Sequence, residues 1–154
     1  LTRCFPVNGK FSRRQKKIYN SVLSVMKKAQ VMLVPGTKLT EYEKEVGTLM
    51  EKELVDLGLL STNDIKSGGN VPAYKKYYMH GTSHHLGLDV HDVSGKGQKI
   101  SEGMVLTCEP GIYVPEEGIG IRLENDILIT SDGHVNLMSS IPIEVDEIEN
   151  LMNI

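Results

Sequence analysis

Between Ile119 and Thr130 the chain reads IGIRLENDILIT, with apolar side chains at nearly every second position. That period belongs to a strand with one face in a core and the other turned away from it. Ile119, Ile121, Leu123, Ile127 and Ile129 are expected on the core face, and Arg122, Glu124, Asp126 and Leu128 on the opposite one. Asp132-Gly133 is a turn dipeptide, after which VNLM returns as a partner strand. Upstream, VLTCEPGIYV (105–114) reads as another strand, broken at Pro110-Gly111. Such a sheet needs a cover for its apolar face.

The first half of the chain supplies it. Ser12 with Gln15 fits a capping box, followed by Ile18, Val22, Val25, Met26, Ala29 and Met32 at helical spacing, and Pro35-Gly36 ends the run. A second helix is expected to start at Thr40, with Glu43 completing a second capping box. Its apolar face is Val46, Leu49, Met50, Leu54 and Leu57, with Gly58 as the C-terminal cap. Before these helices, residues 1–11 read as a strand and a tight turn at Asn8-Gly9, flanked by Phe5, Val7 and Phe11. Residues 61–78, with Gly68-Gly69 and Pro72, read as a loop, and the tail as an extended piece and a short helix. The order argues α+β: an antiparallel sheet with amphipathic helices on one face. A weak internal echo accompanies it, because the stretch ending at Asn8-Gly9 aligns without a gap on the one ending at Asp132-Gly133.

Composition excludes more than it selects. A chain of 154 residues can build one core, and a net charge of −3 offers no basic surface for nucleic acid. No apolar run is long enough to span a membrane, and the N-terminus has no signal-peptide pattern. Cys4 and Cys108 make no disulfide framework, so a cytoplasmic setting is expected.

Chemistry gathers in MHGTSHHLGLDVHD (79–92), which holds His80, His84, His85 and His91 with Asp89 and Asp92. A lone histidine is more often hydrogen-bonded or solvated, but histidines clustered with acids are metal or catalytic candidates. His80 and His84 have the spacing of a helical zinc pair. Gly81 and Gly87 disfavour that helix, so the reading is set aside. His134 is expected to be solvated in a turn, and both cysteines are read as structural. Downstream, Glu109 in CEPG and Glu124 after Arg122 offer carboxylates. A buried strand glutamate pairs more often with Arg or Lys than with a metal. With an imidazole, though, these oxygens suit Mn²⁺, Co²⁺ or Zn²⁺, and Arg122 is placed to orient a ligating carboxylate.

HGTSHHLGLDVHD (80–92), SEGMVLTCEPGIYVPEEGIGIRLEND (101–126) and TRCFPVNGKF (2–11) resemble the aminopeptidase P (Xaa-Pro aminopeptidase) branch of the pita-bread metallopeptidases, relatives of prolidases and methionine aminopeptidases. The resemblance runs in order over essentially the whole chain. It implies a pita-bread fold of two pseudo-symmetric halves around a curved sheet, of which the echo is a trace. It also implies a pair of divalent ions, commonly Mn²⁺, held by two Asp, one His and two Glu. The matching positions are His84, Glu109 and Glu124. His80 and His91 match histidines that line the substrate site and assist the reaction, Tyr113 a tyrosine near the site, and Arg122 an arginine acting on the ligands; His85 has no role. The implied activity is hydrolysis of the bond between an N-terminal residue and a following proline. Prolidase activity and a metal-free binding module are the alternatives, and a homo-oligomer follows by analogy.

The family's two metal-binding aspartates precede the residue matched by Leu1. Residues 1–154 are therefore expected to be the C-terminal portion of the catalytic domain, without the N-terminal domain and first strands. With three of five ligands, this chain alone is expected to bind metal weakly and to have little or no activity.

Overall fold

The computed structural model describes residues 1–67, 69, 71–95 and 97–153. Two helices lead. Helix α1 (Arg13–Gln30) starts at Ser12, where the expected capping box with Gln15 forms. Helix α2 (Leu39–Asp56) does not start as its sequence suggested: Lys38 is its N-cap and no side chain caps it. Glu43 points instead to the backbone N–H groups of Thr82 and Ser83. Helix α1 buries Ile18, Val22, Val25, Met26 and Ala29, and α2 buries Val46, Met50 and Leu54, as helical spacing requires. Gly58 closes α2 with a φ of +72°, a conformation glycine adopts without penalty.

Residues 61–78 hold more structure than a loop. Ser61 and Asp64 form a reciprocal capping box for the short helix α3 (Thr62–Lys66), and Ala73–Lys76 forms a 3₁₀ turn. The expected glycine pair falls partly outside the described residues, at Gly68. The N-terminal segment departs in the other direction. Instead of a strand it makes one bridge, Thr2 to Glu124, and a turn in which Gly9 N–H donates to Pro6 O at 2.9 Å. Phe5 and Val7 are exposed, and of the three flanking apolar residues Phe11 alone is buried.

Among the described residues five strands follow: β1 (Val105–Cys108), β2 (Gly111–Val114), β3 (Ile119–Arg122), β4 (Asn125–Thr130) and β5 (Gly133–Asn136). All pairings are antiparallel, β1-β4-β5 forming one sheet and β2-β3 another. The division comes from the sequence. Pro110 has no N–H to give the ladder, so opposite it Leu123 keeps one bond, its N–H donating to Pro110 O at 3.2 Å, while Glu124 leaves the ladder and exchanges both backbone hydrogen bonds with Thr2. The alternation of residues 119–130 survives the interruption, with Ile121, Leu123, Ile127 and Ile129 buried. His134 lies in β5 opposite Ile129 and is partly buried, where a solvated turn was expected; the hairpin turn is Ser131-Asp132, one residue earlier than the sequence suggested, and Gly133 already pairs with Thr130, which brings His134 into the pairing.

Helix α1 packs on β1, β2 and β3, and α2 lies against α1 and the 3₁₀ turn. Helix α2 also reaches β1 through Tyr42, whose hydroxyl donates to Cys108 Sγ at 3.6 Å. Leu106 and Cys108 face this core, leaving Thr107 on the opposite face beside its cross-strand neighbour Asp126. Helix α4 (Val145–Met152) closes the core with Val145 and Ile148.

Candidate metal centre

The segment 79–92 contains no helix. Residues 82–86 instead run antiparallel along β1, with Glu109 N–H donating to Thr82 O at 2.8 Å, Thr107 N–H to His84 O at 3.0 Å and Leu86 N–H to Val105 O at 3.0 Å. Thr107 fixes His84 a second time, its Oγ1 accepting from the His84 N–H at 3.0 Å. Beyond His85 the chain turns back, held by Asp92, whose carboxylate accepts from Leu88 N–H and Val93 N–H. A side chain at position 87 would collide with that carboxylate, so Gly87, read from sequence as a helix breaker, is also the space Asp92 fills.

The two glutamates stand in the breaks between the sheets, Glu109 at the β1–β2 junction and Glu124 at β3–β4. One ligand atom from each of His84, Glu109 and Glu124 lies within 4.8 Å of the others. His84 Nδ1 is 2.9 Å from His85 O, and a carbonyl only accepts, so Nδ1 carries the proton. In the neutral ring the Nε2 lone pair then points at Glu109 Oε1, 3.3 Å away. Two acceptors at that distance require a cation or a proton between them. One imidazole and two carboxylates, converging with the histidine tautomer fixed, fit a divalent ion of the Mn²⁺, Co²⁺ or Zn²⁺ kind.

The surrounding groups hold this arrangement. Arg122 Nη1 lies 3.7 Å from Glu109 Oε2, while Nη2 donates to Thr2 Oγ1 at 3.1 Å. The Thr2 hydroxyl in turn donates to Glu124 Oε2, so Arg122 reaches one glutamate directly and the other through Thr2. Arg3 donates to Glu124 O at 2.8 Å and to Asn125 Oδ1 at 2.8 Å, fixing the backbone behind the carboxylate. The amino group of Leu1 is 3.5 Å from Glu124 Oε2 and 3.8 Å from Asp126 Oδ1, an oxygen with no hydrogen-bond partner.

An open pocket of about 370 Å³ lies over these groups, lined by His80, Gly81, Ser83, His84, His91, Glu109 and Arg122. A larger hollow of about 650 Å³ beside Phe5 and Phe11 has no imidazole or carboxylate in its lining. The His91 ring is exposed, its centroid 4.3 Å from that of His84. His80 Nδ1 lies 2.8 Å from Gly81 O and Nε2 lies 2.8 Å from Tyr113 Oη, so in the neutral ring Nε2 accepts from the tyrosine. Burial pushes the Tyr113 hydroxyl above its ordinary value, against the opposing pull of Arg122. The sequence reading did not pick out Thr2, Arg3, Glu43, Thr82 or Thr107. For Thr107 a signal existed: it shares the strand face of Glu109, two residues on.

The profile of metallopeptidase family M24 matches residues 1–131. The Xaa-Pro aminopeptidase of Haemophilus influenzae is 46% identical over 99% of this chain and 38% of its own length. That of Escherichia coli is 46% identical over 99% of this chain and 37% of its own length. Among solved structures, zinc-substituted Escherichia coli aminopeptidase P in complex with product superposes with a TM-score of 0.87 at 42% identity, over 98% of this chain and 37% of that one. The chain thus spans little more than a third of the length of these relatives.

Proposed function

The chain belongs to metallopeptidase family M24, and we propose that it is the C-terminal portion of the catalytic domain of an Xaa-Pro aminopeptidase. The observation that carries this reading is the convergence of His84, Glu109 and Glu124 beneath a pocket rimmed by His80 and His91. These three residues would hold divalent metal, with Mn²⁺ the ion we favour; the zinc-substituted relative motivates Zn²⁺ as an alternative. Bound there, the metal supplies Lewis acidity toward a carbonyl oxygen and toward water. The same convergence is the reason to set aside a metal-free binding module. Two further carboxylates would come from the segment preceding Leu1 in a longer polypeptide, since a residue joined to the Leu1 nitrogen would stand beside Glu124.

The roles of the side chains follow from what each touches. Glu109 faces the pocket with one oxygen toward His84 and the other toward Arg122, so it can take a proton from water and return it to the leaving amine. Arg122 orients Glu109 directly and Glu124 through Thr2. His91 is open to the pocket and can donate to the developing oxyanion. His80 works as a pair with Tyr113: the hydroxyl engages Nε2, and both rings form a wall for the substrate's proline. The substrate is a peptide with proline second. We place the protein in the cytoplasm, in keeping with two free cysteines and with no described helix long and apolar enough to cross a membrane. A homo-oligomer belongs to this reading by family analogy.

The test is Mn²⁺-dependent release of the N-terminal residue from an Xaa-Pro peptide by the parent polypeptide. Glu109→Gln is expected to lower kcat by roughly 10²–10⁴-fold, and His84→Ala to remove metal dependence along with activity. Full Mn²⁺-dependent cleavage by either variant would overturn the assignment.

A further inference from the structure

Helix α2 contributes one charged side chain to the back of the candidate centre. Glu43 Oε1 accepts from Thr82 N–H at 2.7 Å and from Ser83 N–H at 3.1 Å, and Oε2 accepts from the Thr82 hydroxyl at 3.0 Å. The Thr82 hydroxyl gives its proton to Glu43, so Tyr78 is left as the donor to Thr82 Oγ1, and the hydroxyls run from Tyr78 through Thr82 to the carboxylate. Thr82 is fully buried. No Lys or Arg nitrogen among the described residues lies within 4.0 Å of Glu43; Lys75, the cation acting on it, donates instead to His80 O at 3.2 Å. A partly buried carboxylate without an ion-pair partner is costly, and helix α2 gains no cap from it.

The geometry shows what that cost obtains. The strip 82–86 has two edges. Its Thr82 and His84 carbonyls accept from β1, while the Thr82 and Ser83 N–H groups point the other way, toward α2. Unpaired, those donors would let the strip twist off β1. A single acceptor that takes both, with the strength of a charge-assisted bond, locks the residues immediately before His84.

We propose that Glu43 is a positioning residue for His84: it sets the path of residues 82–84 and thereby the direction in which the imidazole is presented to Glu109 and Glu124. This deepens the metallopeptidase reading and rests on it only for the identity of what His84 faces.

The chain labelled uniformly with ¹⁵N serves for the test, first without metal. In the wild type the His84 ring is expected to show one tautomer, Nδ1–H, and the Thr82 and Ser83 amides to be protected from exchange. Glu43→Gln, which sets an NH₂ against a row of donors, is expected to lose the single tautomer and that protection. Manganese added alone, read by paramagnetic broadening, is expected to bind about 10-fold more weakly. Glu45→Gln, exposed on the same helix, should match the wild type in every readout. Thr82→Val should reproduce part of the effect and Thr82→Ser restore the wild-type signals, which keeps the test open if Glu43→Gln fails to fold. A Glu43→Gln or Thr82→Val protein with an unchanged His84 tautomer and unchanged manganese affinity overturns the proposal. A wild type that shows the single tautomer but binds no manganese overturns the metal reading and leaves the positioning role standing.

Discussion

Three acidic or thiol side chains show how burial decides chemistry at single residues. Cys108 is fully buried, and desolvation pushes its thiol up to about 12, outweighing the Tyr42 hydroxyl that bonds to it. Thiolate is the reactive form, so iodoacetamide at pH 8 should alkylate half-exposed Cys4 in the folded chain and leave Cys108 untouched until denaturant is added. Peptide mass mapping reads this, and modification of Cys108 at the rate of Cys4 would show that the core opens there. For Glu43, burial raises the carboxyl above its ordinary value and more than offsets the three hydrogen bonds it accepts. The unfolded chain releases this proton first, so the native state is most favoured in acid and loses stability as pH rises from the ordinary glutamate value to the raised one, with no further change above it. Urea unfolding across that window should show this component in the wild type and lack it in Glu43→Gln; identical pH profiles would contradict the burial account. Glu43 also marks a limit of sequence reading. Its spacing from Thr40 matches a capping box, and nothing local reveals that two backbone donors from residues 82 and 83 compete for the carboxylate and win. Glu109 and Glu124 differ in this respect, because each stands next to a visible break, at Pro110 or before a polar residue within an alternating run.

Among the elements, those whose determinants are local were legible. The Ser12–Gln15 box, the break at Pro110-Gly111 and the hairpin after Thr130 each depend on a few consecutive residues, and each forms, with the hairpin turn at Ser131-Asp132, one residue earlier than Asp132-Gly133 suggested. The opening strand did not form because its pairing depends on Glu124 across the chain, and a single bridge is all that Thr2 obtains. The helices within 61–78 were missed because the stretch is short and polar, although Ser61 with Asp64 carried the same signal as Ser12. Contact between α2 and the 3₁₀ turn shows propensity and packing in opposition. Gly47 lies inside α2, where alanine would gain about 1 kcal/mol of helix propensity. Its Cβ would stand 2.6 Å from Tyr74 Cε1, closer than carbon atoms approach. Overpacking costs roughly 1–3 kcal/mol, so Gly47→Ala should be net destabilising by up to about 2 kcal/mol. Combined with Tyr74→Ala, the substitution should turn neutral or stabilising. A thermal-melt double-mutant cycle measures the difference, and additive effects would mean that the ring does not set the need for glycine.

Over the whole molecule, the candidate ligands join pieces of chain that the core alone leaves loosely related. His84 comes from the strip 82–86, Glu109 from the junction of β1 and β2, and Glu124 from the junction of β3 and β4. Among the described residues the two small sheets share no ladder and meet through the Leu123 N–H bond to Pro110 O, with Glu109 and Glu124 beside that junction. Among the described side chains, Arg122 brings positive charge closest to the carboxylates, 3.7 Å from Glu109. Metal bound to the native triad is bound by nothing comparable in the unfolded chain, so it should raise stability by mass action, about 2.7 kcal/mol at a free concentration 100-fold above Kd. Three protein ligands leave coordination positions to water, so the affinity of this chain should be weak and Mn²⁺ needed in large excess. In a chain of this size a kcal/mol corresponds to roughly 2–4 °C, so the melting temperature should climb by several degrees as Mn²⁺ is raised and return with EDTA. The climb should be absent in His84→Ala and Glu124→Gln. A Mn²⁺-dependent rise of the same size in those variants would place the ion elsewhere on the molecule, whereas its loss in both would show that separate breaks in the sheet hold a common ligand.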